Sequence, residues 1–305
     1  MTMYESDDPR AGLSTAKNGS GQGASASDNA FGTSTYARYY DSEPQESSDT
    51  ARTWYTRGQN MVVCYSEVED GAVFEREKQV DEYVLLLPEK AVSATVEANG
   101  ETQRIEPFSI TMIPPGDSRI TLHGEGPAVR LISTRSPDIV AKVHNADRYP
   151  GTHPHVPELD TWPTPEDGFR IRSYSLDVPE EEGRFGKIFR CTTFMVNVFP
   201  PQGPRDITKL SPHHHDDFEQ CSLAVKGWYM HHLRWPWTAN QNEWREDEHE
   251  KCLAPSVCVI PPRVIHTSAP SDPQTNVLVD IFSPPREDFS DMPGWVLNAD
   301  DYPRK

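Results

Sequence analysis

One strand-and-turn pattern occurs twice in this chain, and a duplicated β pattern restricts it to folds built from two similar units. Ser109-Ile-Thr-Met-Ile-Pro-Pro115 matches Ser256-Val-Cys-Val-Ile-Pro-Pro262, and at the same offset Ser136-Pro137 matches Ser283-Pro284. Upstream, Glu82-Tyr-Val-Leu-Leu-Leu87 reads like Glu219-Gln-Cys-Ser-Leu-Ala224 if the second copy has a longer loop, and the polar run 238–250 supplies one. Short apolar runs bounded by turn residues occupy 84–87, 110–113, 129–132, 194–199, 257–260 and 277–282, whereas amphipathic helical patterns are weak. With 28 Pro and 18 Gly as punctuation, 305 residues fit two all-β domains, sandwiches or barrels.

Chemistry concentrates in the second copy. Ser211-Pro212-His213-His214-His215-Asp216-Asp217-Phe218-Glu219-Gln220 is followed downstream by Ile260-Pro261-Pro262-Arg263-Val264-Ile265-His266. His213 and His215 are two apart, so on a strand they share a side and His214 faces the other way. Imidazole suits Zn, Fe, Mn, Ni and Cu, so the ligand type does not choose the ion. Glu219 and Gln220 are adjacent, so only one can face into a barrel.

This arrangement resembles the cupin superfamily. Its first motif runs His-x-His, three or four residues, Glu, six residues, Gly. Here His213-x-His215, four residues, Gln220, six residues and Gly227 keep the spacing with Gln in place of Glu. The second motif, Pro-x-Gly-x-x-His, is met by Pro261-x-Arg263-x-x-His266, with Arg in place of Gly. The resemblance implies an all-β bicupin, two double-stranded β-helix (jelly-roll) barrels in tandem. It also implies one divalent metal ion held by His213, His215, Gln220 and His266, with iron slightly favoured over manganese, zinc or nickel.

The repeat places Arg76, Lys78, Tyr83 and Arg119 opposite those four residues. Arginine keeps its proton and does not ligate a metal, so the N-terminal barrel is expected to hold none. Its turn, Pro114-x-Gly116-x-x-Arg119, keeps the glycine. The expected organisation is a flexible tail over 1–50, a degenerate barrel over 51–135, a Pro-rich linker over 136–189, a metal-binding barrel over 190–285 and an extension over 286–305. Tyr36, Tyr39 and Tyr40 could dock the tail on a barrel or on a partner subunit. His153-x-His155 in the linker reads as a surface loop.

After Gly227, His231, His232, Arg234, Trp235 and Trp237 form a polar-aromatic strand. As a pocket wall it offers His232 as a catalytic base and Arg234 for a carboxylate or enolate, although only one of His231 and His232 can face inward. As an interface it packs aromatics in a homo-oligomer. Arg263 could line the pocket mouth, and Asp216 and Asp217 could orient ligand imidazoles or sit at the rim. An open metal position permits two reactions on a small organic substrate. One is O₂ chemistry by a non-haem dioxygenase, favoured by the aromatic strand for an aromatic, diketone or hydroxy-acid substrate. The other is Lewis-acid chemistry by a sugar-acid isomerase or lyase, favoured by the histidine pair. A metal-stabilised binding barrel is the third.

A net charge of -18 without a basic stretch makes nucleic acid and anionic membrane poor partners. Cys64, Cys191, Cys221, Cys252 and Cys258 show no Cys-x-x-Cys and read as reduced core thiols of a cytoplasmic protein. No apolar run is long enough to span a membrane.

Overall fold

The computed structural model describes residues 31–304. Two short strands, β1 (Thr35–Arg38) and β2 (Glu46–Ser47), precede nine that build the first barrel. These are β3 (Ala51–Arg57), β4 (Met61–Val68), β5 (Val73–Gln79), β6 (Tyr83–Leu87), β7 (Ser93–Ala98), β8 (Glu101–Ile105), β9 (Ser109–Ile113), β10 (Gly116–His123) and β11 (Gly126–Ser133). A one-turn helix, α1 (Pro137–Val140), and β12 (Arg172–Ser175) lead to the second barrel. It comprises β13 (Lys187–Arg190), β14 (Met195–Val198), β15 (Gln220–Lys226), β16 (Trp228–Arg234), β17 (Glu248–Leu253), β18 (Ser256–Ile260), β19 (Ile265–Pro270) and β20 (Val277–Phe282), followed by α2 (Glu287–Asp291).

Each barrel is a large sheet closed against a small one. The first has the order β12-β9-β6-β11-β4-β3-β2 against β5-β10-β7-β8, and the second has β1-β18-β15-β20-β14-β13 against β17-β16-β19. The two large sheets face each other. Alternation gives each strand an outer set for this contact: Val84, Leu86, Met112 and Leu131 from one barrel meet Leu223, Val257, Val259 and Ile281 from the other in one buried core.

The boundaries differ from those read off the sequence. Residues 31–50, assigned to a flexible tail, contain β1, which pairs with β18 of the second barrel. The linker contains β12, which pairs with β9 of the first. The strand before each barrel therefore extends the sheet of the other and covers an edge that would otherwise be unpaired. The rest of the expected tail, residues 1–30, lies outside the described residues. Tyr39 docks as expected, stacked on Tyr65 with ring centroids 5.3 Å apart and bonded to Thr56 Oγ1 at 2.8 Å, whereas Tyr40 is exposed.

A second repeat locks the barrels together. Asn145-Ala-Asp-Arg-Tyr-Pro150 and Asn298-Ala-Asp-Asp-Tyr-Pro303 follow the two barrels at equivalent places. Asn145 Oδ1 accepts from the Arg57 N–H at 3.0 Å and its Nδ2 donates to Arg57 O at 2.9 Å. Asn298 makes the same pair with Arg190, at 2.9 and 2.8 Å. The Tyr149 hydroxyl donates to Glu219 at 3.1 Å, and the Tyr302 hydroxyl donates to Glu82 at 2.7 Å. Glu219 also accepts from the Gln59 N–H, and Glu82 from the Thr192 N–H. Each glutamate thus reaches out of its own barrel into a hairpin turn of the other.

Candidate metal centre

Two strand ends and one loop assemble the histidines. The segment before β15 runs beside the start of β19: the His213 N–H donates to His266 O at 3.0 Å, and the His266 N–H donates to His213 O at 2.7 Å. Arg263 N–H closes the turn on His215 O. Arg263, standing where the motif has Gly, takes the left-handed φ of 66°, so the turn survives the substitution. Gly227 at the end of β15 has φ 78°, and a Cβ there would lie 2.5 Å from Thr275 O, which explains its place in the motif.

One ligating atom from each of His213, His215 and His266 lies within 4.8 Å of the others. Nδ1 of His213 lies 2.9 Å from Ser211 O and Nδ1 of His266 lies 2.9 Å from Val264 O. A carbonyl partner fixes the proton on Nδ1 and turns the Nε2 lone pair to the centre. Burial, the Arg286 guanidinium and the two neighbouring imidazoles hold His215 well below the usual imidazole pKa, so it is a neutral ligand at pH 7. Phe218 stacks on its ring at 4.4 Å.

Gln220 opens β15 facing the same way, its Oε1 2.9 Å from His215 Nε2. Its Nε2 donates to Ser222 Oγ at 2.9 Å, and the Ser222 hydroxyl donates to Asp280 Oδ1 at 2.6 Å. That chain commits the amide nitrogen elsewhere and leaves the carbonyl oxygen toward the histidines. Glu219 turns to the opposite face and into the interface between the barrels, where burial raises its carboxyl to about 7. Three neutral imidazoles and an amide oxygen fit a divalent ion.

The second-strand prediction fares differently. In β16, Tyr229, His231 and Leu233 face in, and Leu233 lies beside His266 in register. His232 faces out against His249, with Nδ1 atoms 2.7 Å apart, and exposed Arg234 pairs with Asp247 at 3.0 Å. Neither His232 nor Arg234 lines the cavity that holds His213, Gln220 and His266; both line a smaller one, of about 150 Å³, that also touches His266. His231 is buried, its Nδ1 2.8 Å from Ser268 Oγ, and burial lowers it to about 3. It is neutral at pH 7. Trp235 donates to Gly32 O, and exposed Trp237 stacks on Trp244 at 4.5 Å. His153 and His155 lie apart from the centre, with His155 Nε2 2.9 Å from an Arg263 nitrogen.

A cavity of about 470 Å³ opens beside His213, Gln220 and His266. Sequence reasoning missed Arg205, Tyr229 and Asp280 on its wall. Alternation from the inward Gln220 and Ser222, together with the β20 partner of Ser222, could have found Asp280. Arg205 sits in an irregular loop that carries no such signal.

No family model and no curated protein matches the chain. Solved structures do. AerE from Microcystis aeruginosa superposes with a TM-score of 0.52 at 9% identity, covering 83% of this chain and 98% of that one. Bacillus subtilis oxalate decarboxylase gives 0.53 at 14%, covering 85% and 79%. Lactobacillus farciminis oxalate decarboxylase, in a formate complex, gives 0.52 at 14%, covering 82% and 86%. The chain has the bicupin fold. At these identities the likeness carries the bicupin architecture and not an activity. The imperfect motifs agree with it: the bicupin frame is complete while Gln220 and Arg263 depart from the motif residues.

Proposed function

We propose that the chain is a metal-dependent enzyme acting on a small organic substrate in its C-terminal barrel. The observation that carries this reading is the convergence of His213, His215, His266 and Gln220 beside a cavity whose lining includes Tyr229 and Asp280. A bicupin neighbour studied for its Mn(II) centres, Bacillus subtilis oxalate decarboxylase, supports a divalent ion in such a barrel. These four residues would hold the ion, which supplies a Lewis acid or, as iron, a site for O₂.

The cavity changes the balance between the two reactions. A dioxygenase for an aromatic substrate leaned on Trp235 and Trp237, which line no part of it. Proton transfer leaned on His231 and His232, and there the cavity offers Asp280 and Tyr229 instead. The geometry supports best an isomerase or lyase, in which the Asp280 carboxylate takes a proton from the substrate carbon. The Tyr229 hydroxyl then donates a hydrogen bond to the oxygen on which charge develops. The dioxygenase is the second reading, favoured by a ligand set of three imidazoles without a carboxylate.

Elemental analysis of protein purified without added metal, joined to O₂ uptake, tests this. Manganese, zinc or nickel with turnover under anaerobiosis supports proton transfer. Iron with O₂ consumed alongside substrate supports the dioxygenase. Turnover that survives both chelation and His213→Ala rejects a metal-dependent reaction of either kind.

A further inference from the structure

The lining of the cavity beside the histidines is mixed: Phe185, Phe199 and Leu278 are apolar, and Arg205, Asp206 and Lys209, from one loop, are charged. Arg205 is held in place rather than left to solvent. Its backbone N–H donates to Pro270 O at 2.9 Å, its Nε to Lys209 O at 3.1 Å, and its terminal nitrogen to Ser211 Oγ. Ser211 is also the residue whose carbonyl oxygen holds Nδ1 of His213. One short loop therefore fixes a guanidinium and a ligand imidazole together.

Tyr229 is fully buried on the same wall, and its hydroxyl has no hydrogen-bond partner among the described residues. A buried hydroxyl left so costs about 1–3 kcal/mol. An oxygen that arrives with a ligand would remove that cost.

We propose that the cavity binds a small organic carboxylate, with the carboxylate against Arg205 and Lys209 and an oxygen of the carbon skeleton accepting from Tyr229. This rests on the metal-enzyme reading and adds the substrate class to it. The planar guanidinium fork matches a carboxylate. Asp206 and Asp280 on the same lining disfavour a more highly charged anion such as a phosphate. Arg205 and Lys209 on this lining supply local positive charge in a chain of net charge -18, which repels anions at long range.

Calorimetric titration of Mn(II)-loaded protein reads this without turnover. The probes are pyruvate, lactate and succinate, each set against its uncharged amide, and inorganic phosphate. At least one acid should bind, and bind about tenfold or more tightly than its amide, as a charge-assisted hydrogen bond would give. Arg205→Gln should erase that preference and Arg205→Lys should keep part of it, both with full metal content. Tyr229→Phe should weaken acid and amide alike. The carboxylate assignment is overturned if no acid binds, if acids and amides bind equally, if the preference survives Arg205→Gln, or if phosphate outbinds every acid. Protein that takes up no metal overturns the function reading itself.

Discussion

The two barrels share the register of their central strands and differ in what fills them. Tyr83 pairs with Ile113 as Gln220 pairs with Ile260, and Leu85 lies opposite Arg130 as Ser222 lies opposite Asp280. The first interior is a packed aliphatic core in which Leu85, Leu87, Val96, Ile113, Ile120 and Ile132 meet. In the second, Ser222 and Ala224 take the places of Leu85 and Leu87, and Gln220 and Asp280, which take those of Tyr83 and Arg130, line the cavity.

At the barrel mouth the contrast is chemical. Arg76 pairs with Ser118 in register, as His213 pairs with His266. Arg76 is committed to Asp138 and Gln79, and the Tyr83 hydroxyl lies 2.9 Å from Ser118 Oγ. The inward counterpart of His266 is therefore Ser118, not the expected Arg119, because a bulge between Gly116 and Ser118 shifts the strand. Arg119 points outward to Glu75, and Lys78 is exposed. The first mouth ties Arg76 to its neighbours, whereas the second directs three imidazoles and an amide oxygen at one point.

The largest expected difference is metal binding. His266→Ala should abolish stoichiometric metal, and the protein should lose the thermal stabilisation that the ion gives, about 4 kcal/mol at a thousandfold excess over Kd. Ser118→Ala, at the matching position, should leave metal content unchanged. Equal metal in the two variants, by elemental analysis, would break the comparison.

The interface glutamates sharpen it next. Burial raises both Glu82 and Glu219, the latter from 4.5 to about 7. Between pH 4.5 and 7 the native protein holds this proton and the unfolded chain does not, so stability falls as pH rises through that window and stays low above it. The shift corresponds to about 3 kcal/mol. Glu219→Gln keeps the shape, accepts from the Gln59 N–H and donates to Tyr149, and should flatten the slope. An unchanged difference between wild type and variant in denaturant melts at pH 5 and pH 8 would show that Glu219 is ionised throughout.

A smaller effect separates Glu219 from its neighbour. Gln220→Ala should weaken metal binding by about tenfold, on the scale of ligand and supporting groups, while Glu219→Ala should cost stability and leave metal affinity nearly unchanged. The reverse order in a competition titration would mean that strand parity has been misread.

The sequence showed the frame well because the frame rests on local signals. The Ile-Pro-Pro turns, Gly227 and the His-x-His spacing are short-range facts, and each meets its structural partner. The exchange of β1 and β12 was hidden, since which sheet edge a short strand finds depends on contacts far along the chain. The two Asn-Ala-Asp-x-Tyr-Pro copies were readable as a repeat, but their role depends on Arg57 and Arg190 in distant hairpins. Phasing was the weakest point. His231 and His232 are alike in sequence, and only pairing with β19 places His231 inside.

That phasing gives the smallest predicted effect and the most direct test of which face of β16 serves the site. His232 and Arg234 look like a base and an anion-binding cation, yet their partners are His249 and Asp247 on the outer face. An exposed ion pair contributes about 0–1 kcal/mol. Arg234→Ala and His232→Ala should each change stability by less than about 1 kcal/mol and leave metal content and turnover within about twofold of wild type. Tyr229→Phe, from the same strand but the inner face, should lower turnover by tenfold or more, the scale of a lost hydrogen bond to developing charge. If Arg234→Ala were the damaging change and Tyr229→Phe the silent one, the strand would be facing the other way. The cavity would then have to be rebuilt around His232.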